Sequence, residues 1–384
     1  MVDPFKLGEI PFYWRVKKTA DQLPADIPAR LPFAFSFIDD LQLVIQERNP
    51  SVLRWLERVY KEDANVGYLQ EGHALAESYG GEFIEFFRRA SALLSKPPIS
   101  AADIGCGGVY LLQRVREQGL MVKGIDPSPV TAAAGRKAGI EIVPDFYPSA
   151  SLTECFDILF HYDVLEHVED PVAFLRAHHA NLSPHGALIF AVPDCSHHIA
   201  LGDVSMLLHE HLNYFDSESL NNVLRAADFE PILLEPAKHG GVILCCAVPK
   251  KRFSAEKIII RSTSKFQIFL TKAESALQRF SRLVSKSSQG DLGLYVPIRS
   301  FPYLGQLPPE TRVRFFDDDP GLHGRYFDGF DIAIENRDDL LANPPEQVMI
   351  CSLAFGKKIA TRLHEKQIRN LNVLMWSDLF DPQE

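Results

Sequence analysis

Asp103-Ile104-Gly105-Cys106-Gly107-Gly108 stands between the short apolar run Ile99–Ala102 and a helical stretch from Val109 to Gln118. Glycines at such a turn let the backbone adopt positive φ and approach a bound group with no Cβ in the way. A helix opening just behind the turn presents free N–H groups. These features fit many nucleotide sites. The next apolar run narrows the set. Val122-Lys123-Gly124-Ile125 ends at Asp126, and an acid at the tip of a second strand, about 20 residues on, suits ribose hydroxyls. The competing reading of Asp126 is a loop acid capping the helix that starts near Ser128.

Outward from this turn, short apolar runs alternate with amphipathic helices. The runs are Ile99–Ala102, Val122–Ile125, Phe156–Phe160 and Ala187–Val192, with Val242–Val248 closing the series. This alternation predicts a doubly wound, largely parallel sheet. Before it, Phe33–Phe37 and Leu41–Ile45 read as strands, Val52–Tyr60 as a helix, and Gly72 to Leu94 as one or two helices. Pro249 to Phe253 reads as a boundary, followed by a long helix from about Ser262 to Ser285. The alternation then resumes in Leu292–Val296, Val313–Phe316, Val348–Cys351 and Asn372–Trp376. That predicts a second, smaller α/β unit.

Composition bounds the class. The chain has 384 residues, 46% hydrophobic and 23% charged, which is ordinary for packed globular cores and long for a single one. A formal net charge of -10 argues against a general nucleic-acid or membrane-surface binder. The six cysteines, Cys106, Cys155, Cys195, Cys245, Cys246 and Cys351, form no C-x-x-C pair, so neither a zinc ribbon nor a disulfide framework is visible. Free thiols fit a reducing compartment. With no apolar signal core at the N-terminus and no bilayer-length apolar run, the expectation is a cytoplasmic protein with no membrane partner; a homodimer is compatible with it.

Two histidine sets stand out as candidate proton acceptors. His167 follows the fourth predicted strand in Glu166-His167-Val168-Glu169-Asp170-Pro171. The segment His209-Glu210-His211-Leu212-Asn213-Tyr214-Phe215 precedes a helix starting near Ser217. A His-x-His pair beside a Glu suggests a metal, but no third spaced ligand is visible, so no metal is expected. His209 is open between a surface and a functional role. His197 and His198 are open between a pocket lining and a solvated loop.

The order of these motifs resembles the class I S-adenosylmethionine-dependent methyltransferases over roughly residues 97 to 250. Asp103 is the acid before their glycine turn, and the turn does not complete the dinucleotide G-x-G-x-x-G pattern. Phe156-Asp157-Ile158-Leu159-Phe160-His161-Tyr162-Asp163-Val164-Leu165-Glu166-His167-Val168 looks like the family's fourth-strand motif. Leu182-Ser183-Pro184-His185-Gly186-Ala187-Leu188-Ile189-Phe190 looks like the turn before its fifth strand. The resemblance implies S-adenosylmethionine as cofactor. Gly105 and Gly107, behind Asp103, would approach its methionine and ribose parts, and Asp126 would take the ribose hydroxyls. Asp145 and Phe146 would meet the adenine, and His161 and Tyr162 would flank the sulfonium.

Glu210-His211 followed by Tyr214-Phe215 and a Ser-Leu helix is similar to the sugar C-methyltransferases of deoxysugar biosynthesis. That family has an N-terminal zinc module, a methyltransferase core and a C-terminal Rossmann-like domain. The likeness implies His211 as the base, with Glu210 and His167 near the acceptor. It extends to Phe316-Asp317-Asp318-Asp319-Pro320, His323-Gly324-Arg325 and Gly329-Phe330-Asp331-Ile332, and to Tyr68-Leu69-Gln70-Glu71-Gly72-His73.

Three departures qualify it. Ile38 and Leu41 stand where zinc-binding cysteines would, Leu208 replaces an expected tyrosine, and no glycine follows Leu294-Tyr295-Val296-Pro297 before Gly305. The expectation is an α/β chain in three parts. Residues 1–70 are a degenerate zinc-ribbon-like module, 71–252 a Rossmann-like methyltransferase domain, and 253–384 a second, smaller Rossmann-like domain. The expected function is methyl transfer to carbon or oxygen of a small-molecule acceptor, a nucleotide-linked sugar or related metabolite, with no nucleic-acid partner. The alternatives are a natural-product O-methyltransferase, a non-catalytic S-adenosylmethionine-binding protein, and an α/β protein for some other adenosine nucleotide.

Overall fold

The computed structural model describes residues 3–12, 16–17, 28–62, 74–238, 240–250, 264–286, 292–305, 313–327, 329–353, 355–365 and 371–380. Tyr68 to His73 lie outside these. The chain forms two compact units, one of residues 37–196 and 210–261 and the other of residues 1–36, 197–209 and 262–384. These units cut across the three consecutive segments expected from sequence. Residues 37–62 group with the sheet that carries the glycine turn, and residues 197–209 group with the C-terminal part.

The first unit is built on seven strands, here β1 (Ser100–Ile104), β2 (Met121–Ile125), β3 (Glu141–Val143), β4 (Phe156–Tyr162), β5 (Leu182–Pro193), β6 (Phe229–Pro236) and β7 (Val242–Pro249). Their order across the sheet is β3-β2-β1-β4-β5-β7-β6. The five strands β3 to β5 of that order run parallel, and β7 is antiparallel to both β5 and β6. Strand β6, which starts just after the polar Arg225 to Asp228 corner, is an element the sequence reading does not contain.

Both sheet faces are covered, so the central strands are apolar on both sides. Ile158 and Phe160 of β4 pack into one core with Phe83, Phe86 and Phe87 of helix α1 (Ala74–Ser91). Leu159 of the same strand packs into the other core with Leu188, Phe190, Phe174 and Leu175. This is the period-two alternation of a strand. The helix α2 (Tyr110–Arg116) follows β1, and α3 (Pro129–Ala138) follows β2 with Ser128 at its N-cap, accepting from Val130 N. Further on, α4 spans Pro171–Ala177 and α5 spans Ser217–Ala226. Asp216 closes a capping box with Ser219 at the head of α5, which fixes where the chain leaves the His211 segment. Residues 37–62 add the strand Leu43–Gln46, antiparallel to Asn213–Tyr214, and the helix Pro50–Glu62.

The second unit contains a five-stranded, all-parallel sheet in the order Ile334–Glu335, Arg314–Phe316, Leu292–Tyr295, Gln347–Ile350, Asn372–Met375. Four of these strands coincide with the predicted runs. The first strand, Leu292–Tyr295, ends in Val296 at φ 60 and ψ 58. A left-handed turn thus follows this strand, as in a dinucleotide fold, but a β-branched residue occupies it, against its steric preference. Strand Phe5–Pro11 pairs antiparallel with Arg30–Ile38 in the same unit. Ile38, at a position expected for a zinc ligand in the resembling family, leads directly into the 3-10 turn Asp39–Leu41.

Candidate functional site

The glycine turn lies at the carboxyl end of β1, where open α/β sheets bind ligands. Gly105 has φ +67 and Gly107 φ +55, conformations that a side chain would strain. Gly105 N donates to Ile125 O at 2.8 Å, which ties the turn to β2. A Cβ built on Gly105 would lie 2.9 Å from Val164 Cγ2, so the loop after β4 packs directly on the turn.

Asp126 does not cap the following helix, whose N-cap is Ser128; its carboxylate binds backbone amides on both sides of it in sequence. Its Oδ2 accepts from Gly107 N at 2.8 Å and its Oδ1 from Ser128 N at 2.8 Å. Thr131 Oγ1 donates to Gly107 O at 3.0 Å. The carboxylate is buried and clamps the glycine turn to the head of α3. Burial raises its pKa, and the two amides and Thr131 pull it back down. An ionised carboxylate has about four acceptor positions, so two amides leave room for a hydroxyl donor. Asp103 lies beneath the turn, 1% exposed, with its pKa pushed well up by burial and by the Asp126 charge. It faces the protein interior rather than a ligand.

At the end of β3, Asp145 accepts from Phe146 N at 2.8 Å and from Ser149 Oγ at 2.5 Å. Phe146 is one of the few large apolar side chains in solvent, 38% exposed, and offers a ring face beside the acid. The structure separates the expected pair His161 and Tyr162. His161 is fully buried, stacked on Phe190 at 4.8 Å and edge-on to Phe174 at 6.0 Å. It packs in the core under α4, on the face opposite Tyr162. The reason is strand alternation: Tyr162 points the opposite way, edge-on to Phe83 at 5.2 Å, with burial raising its hydroxyl pKa.

His167 and His211 meet. Their rings are edge-to-face with centroids 5.0 Å apart. His167 Nδ1 lies 2.8 Å from Glu210 O. A carbonyl only accepts, so Nδ1 carries the proton. Burial holds the His167 pKa down to about 4, which keeps the ring neutral at pH 7 with a lone pair on Nε2. That Nε2 is 3.6 Å from Glu166 Oε1. Burial pushes Glu210 up to about 7 and Glu166 well above its ordinary range, with the Asp163 charge adding to it. Asp163 is raised by burial too and sits at φ +55.

Asp163 and Glu166 are functional candidates that sequence reasoning missed. Two acids three apart, inside a run otherwise apolar and ending in His167, were the available signal. The His-x-His pair does not act as one. His209 is 3% exposed, edge-on to Phe12 at 5.4 Å and Phe33 at 5.3 Å, with Nε2 donating to Leu31 O at 3.2 Å. It is a satisfied core histidine of the unit formed by residues 1–36, 197–209 and 262–384. His198 also lies in that unit, 3.8 Å from Asp203, and His197 is exposed. Three donors converge away from the His-x-His spacing, and His209 is not one of them. Among the described residues, Glu166, His167 and His211 place donor atoms within 4.8 Å of one another.

Residues 75–234 match the model of a family described as a methyltransferase domain. The ubiquinone biosynthesis O-methyltransferase of Ruegeria pomeroyi is 29% identical over 147 residues, covering 34% of this chain and 59% of that protein. That of Histophilus somni is 34% identical over 101 residues, covering 23% and 42%. The chain thus spans under two thirds of the length of these relatives. Among solved structures, the Burkholderia thailandensis 1,6-didemethyltoxoflavin-N1-methyltransferase is 20% identical, over 56% of this chain and 99% of that chain, with a TM-score of 0.37. The plantazolicin methyltransferase BpumL is 13% identical, over 53% and 98%, with a TM-score of 0.41. The fold assignment rests on the seven-stranded sheet and its glycine turn rather than on these scores. Residues 75–234 are thus similar to a methyltransferase domain.

Proposed function

We propose that the whole chain is an S-adenosylmethionine-dependent methyltransferase whose acceptor is a nucleotide-linked sugar or a related small metabolite, with His211 as the general base. One observation carries this reading. Val164 packs on Gly105, and three residues further along the same loop His167 meets His211. The donor turn and the two histidines therefore belong to one continuous piece of structure.

When bound, S-adenosylmethionine supplies a methyl group on a positively charged sulfur. The residues here supply position and proton transfer. The acidic acceptor atom would give its proton to His211, which would leave that atom nucleophilic toward the methyl group. His167, neutral and fixed through Glu210 O, orients His211 and the acceptor. Asp126 would take a ribose hydroxyl on the lone pairs that Gly107 and Ser128 leave unused, and Phe146 would stack on adenine beside Asp145. The sugar acceptor is supported by the Glu210-His211 and Tyr214-Phe215 pattern. A natural-product O-methyltransferase is the second reading, favoured by the names of the curated relatives.

Isothermal calorimetry tests the donor. S-adenosylmethionine is expected to bind and nicotinamide dinucleotides are not; the reverse would remove the reading. In the same assay Gly105→Val is expected to raise the Kd at least ~10-fold. A left-handed φ costs a side chain about 1–2 kcal/mol, and the new Cβ meets Val164 at 2.9 Å. An unchanged Kd would detach the glycine turn from the cofactor.

A further inference from the structure

We propose that Arg48 is the positioning residue that sets the His167–His211 pair. The proposal rests on the methyltransferase reading for its activity readout only. His167 and His211 come from segments more than 40 positions apart in sequence, and neither segment lies within a long helix or strand that would fix it. The Arg48 guanidinium joins them. Its Nε and Nη2 donate to Glu169 O at 3.1 and 2.6 Å, two residues beyond His167. Its Nη1 donates to Leu212 O at 2.8 Å, next to His211, and Nη2 reaches Asn213 Oδ1 at 3.0 Å. Nη1 also donates to Gln46 O at 2.7 Å, which anchors the fork in the strand Leu43–Gln46. Asn213 in turn donates through Nδ2 to Leu165 O at 3.2 Å and Val168 O at 2.7 Å, and Leu212 N donates to Glu166 O at 2.7 Å.

Arg48 thus spends its fork on backbone carbonyls of both histidine segments and on the Asn213 side chain, which also bridges them. The planar guanidinium can reach several carbonyls in fixed directions at once, and a lysine ammonium on a flexible stem cannot. The charges of Glu169, Glu47 and Asp170 favour the guanidinium, and the carbonyls fix its direction. The consequence concerns function more than stability: without the fork, the His167 and His211 rings lose their fixed edge-to-face relation while the donor turn at Gly105 to Gly108 stays intact. It also assigns a role to residues 37–62, which group with this unit.

The test uses the full chain with Arg48→Ala and Arg48→Lys, nitrogen-edited imidazole NMR, and S-adenosylmethionine calorimetry. In both variants the His167 and His211 resonances are expected to shift and the Nδ1-bound proton of His167 to exchange faster, with the S-adenosylmethionine Kd within about twofold of native. Where turnover is measurable, kcat is expected to fall at least ~10-fold with KM for S-adenosylmethionine unchanged. Millimolar guanidinium, but not the same concentration of potassium, is expected to restore part of it in Arg48→Ala. Unshifted imidazole resonances, or a lowered melting temperature with the loss of turnover not rescued by guanidinium, would reduce Arg48 to a strut. If Arg48→Ala does not fold, Arg48→Lys decides by the same resonances. Failure of the native protein to bind S-adenosylmethionine would sink the methyltransferase reading and leave the imidazole result standing.

Discussion

A His211→Ala variant is expected to bind S-adenosylmethionine as the native protein does and to turn over ~10² to 10⁴-fold more slowly, the range for loss of a positioned general base. The donor turn and the base lie on different segments. Residues 103–108 hold the turn, through Gly105 N to Ile125 O and Gly107 N to Asp126. Truncating a half-buried ring at 211 removes neither bond. His167→Ala is expected to behave differently. It takes the Nδ1 donor away from Glu210 O and leaves that carbonyl without it, so stability falls together with turnover. The comparison therefore separates a base from a packing residue. Chelation sharpens it further. Glu166, His167 and His211 have donor atoms within 4.8 Å, and a base role for His211 requires turnover to survive EDTA. Loss of activity on chelation with recovery on adding Mn²⁺ would give His211 to a cation. Unchanged turnover in His211→Ala would remove it from the reaction altogether.

What was legible in the sequence is what depends on near neighbours along the chain. The turn Asp103 to Gly108 declares itself because glycine alone tolerates φ +67 and +55 at no cost. The strands declare themselves because buried parallel strands need continuous apolar runs. The helix starts expected near Ser128 and Ser217 match the helices Pro129–Ala138 and Ser217–Ala226. What was not legible depends on partners distant in sequence. Asp126 looked free for a ribose, yet Gly107, 19 residues earlier, occupies one of its oxygens. His161 and Tyr162 looked equivalent at a strand end, and only the packing of Phe174 and Phe83 against opposite faces shows which one is core. His209 and His211 looked like a pair, but between them the chain passes from one compact unit to the other. Residues 197–209 read as part of the methyltransferase segment, and nothing local marks Asp203 as bonded to Tyr303 and Trp376.

Asp203→Ala is expected to cost about 3–5 kcal/mol, the range for removing one partner from a buried, hydrogen-bonded charge site. The carboxylate is fully buried and fully used. Its Oδ1 accepts from Tyr303 Oη at 2.9 Å and Ser205 N at 2.9 Å. Its Oδ2 accepts from Ser205 Oγ at 2.8 Å and Trp376 Nε1 at 3.2 Å. Tyr303 and Trp376 are themselves buried and edge-to-face at 4.9 Å, so truncation takes the acceptor from a buried hydroxyl and a buried indole N–H, each at roughly 1–3 kcal/mol. Asp203→Asn keeps the shape but turns an NH₂ toward one of these donors, so it is expected to fall between alanine and native. Thermal unfolding followed by tryptophan fluorescence reads the effect. A loss of this size lowers the midpoint of a unit of this length by about 6 °C or more. With two units present, it is expected as an earlier transition separating from the rest. A shift under about 2 °C would show that Tyr303 and Trp376 find other partners, and that the segment 197–209 is held in its unit by apolar packing alone.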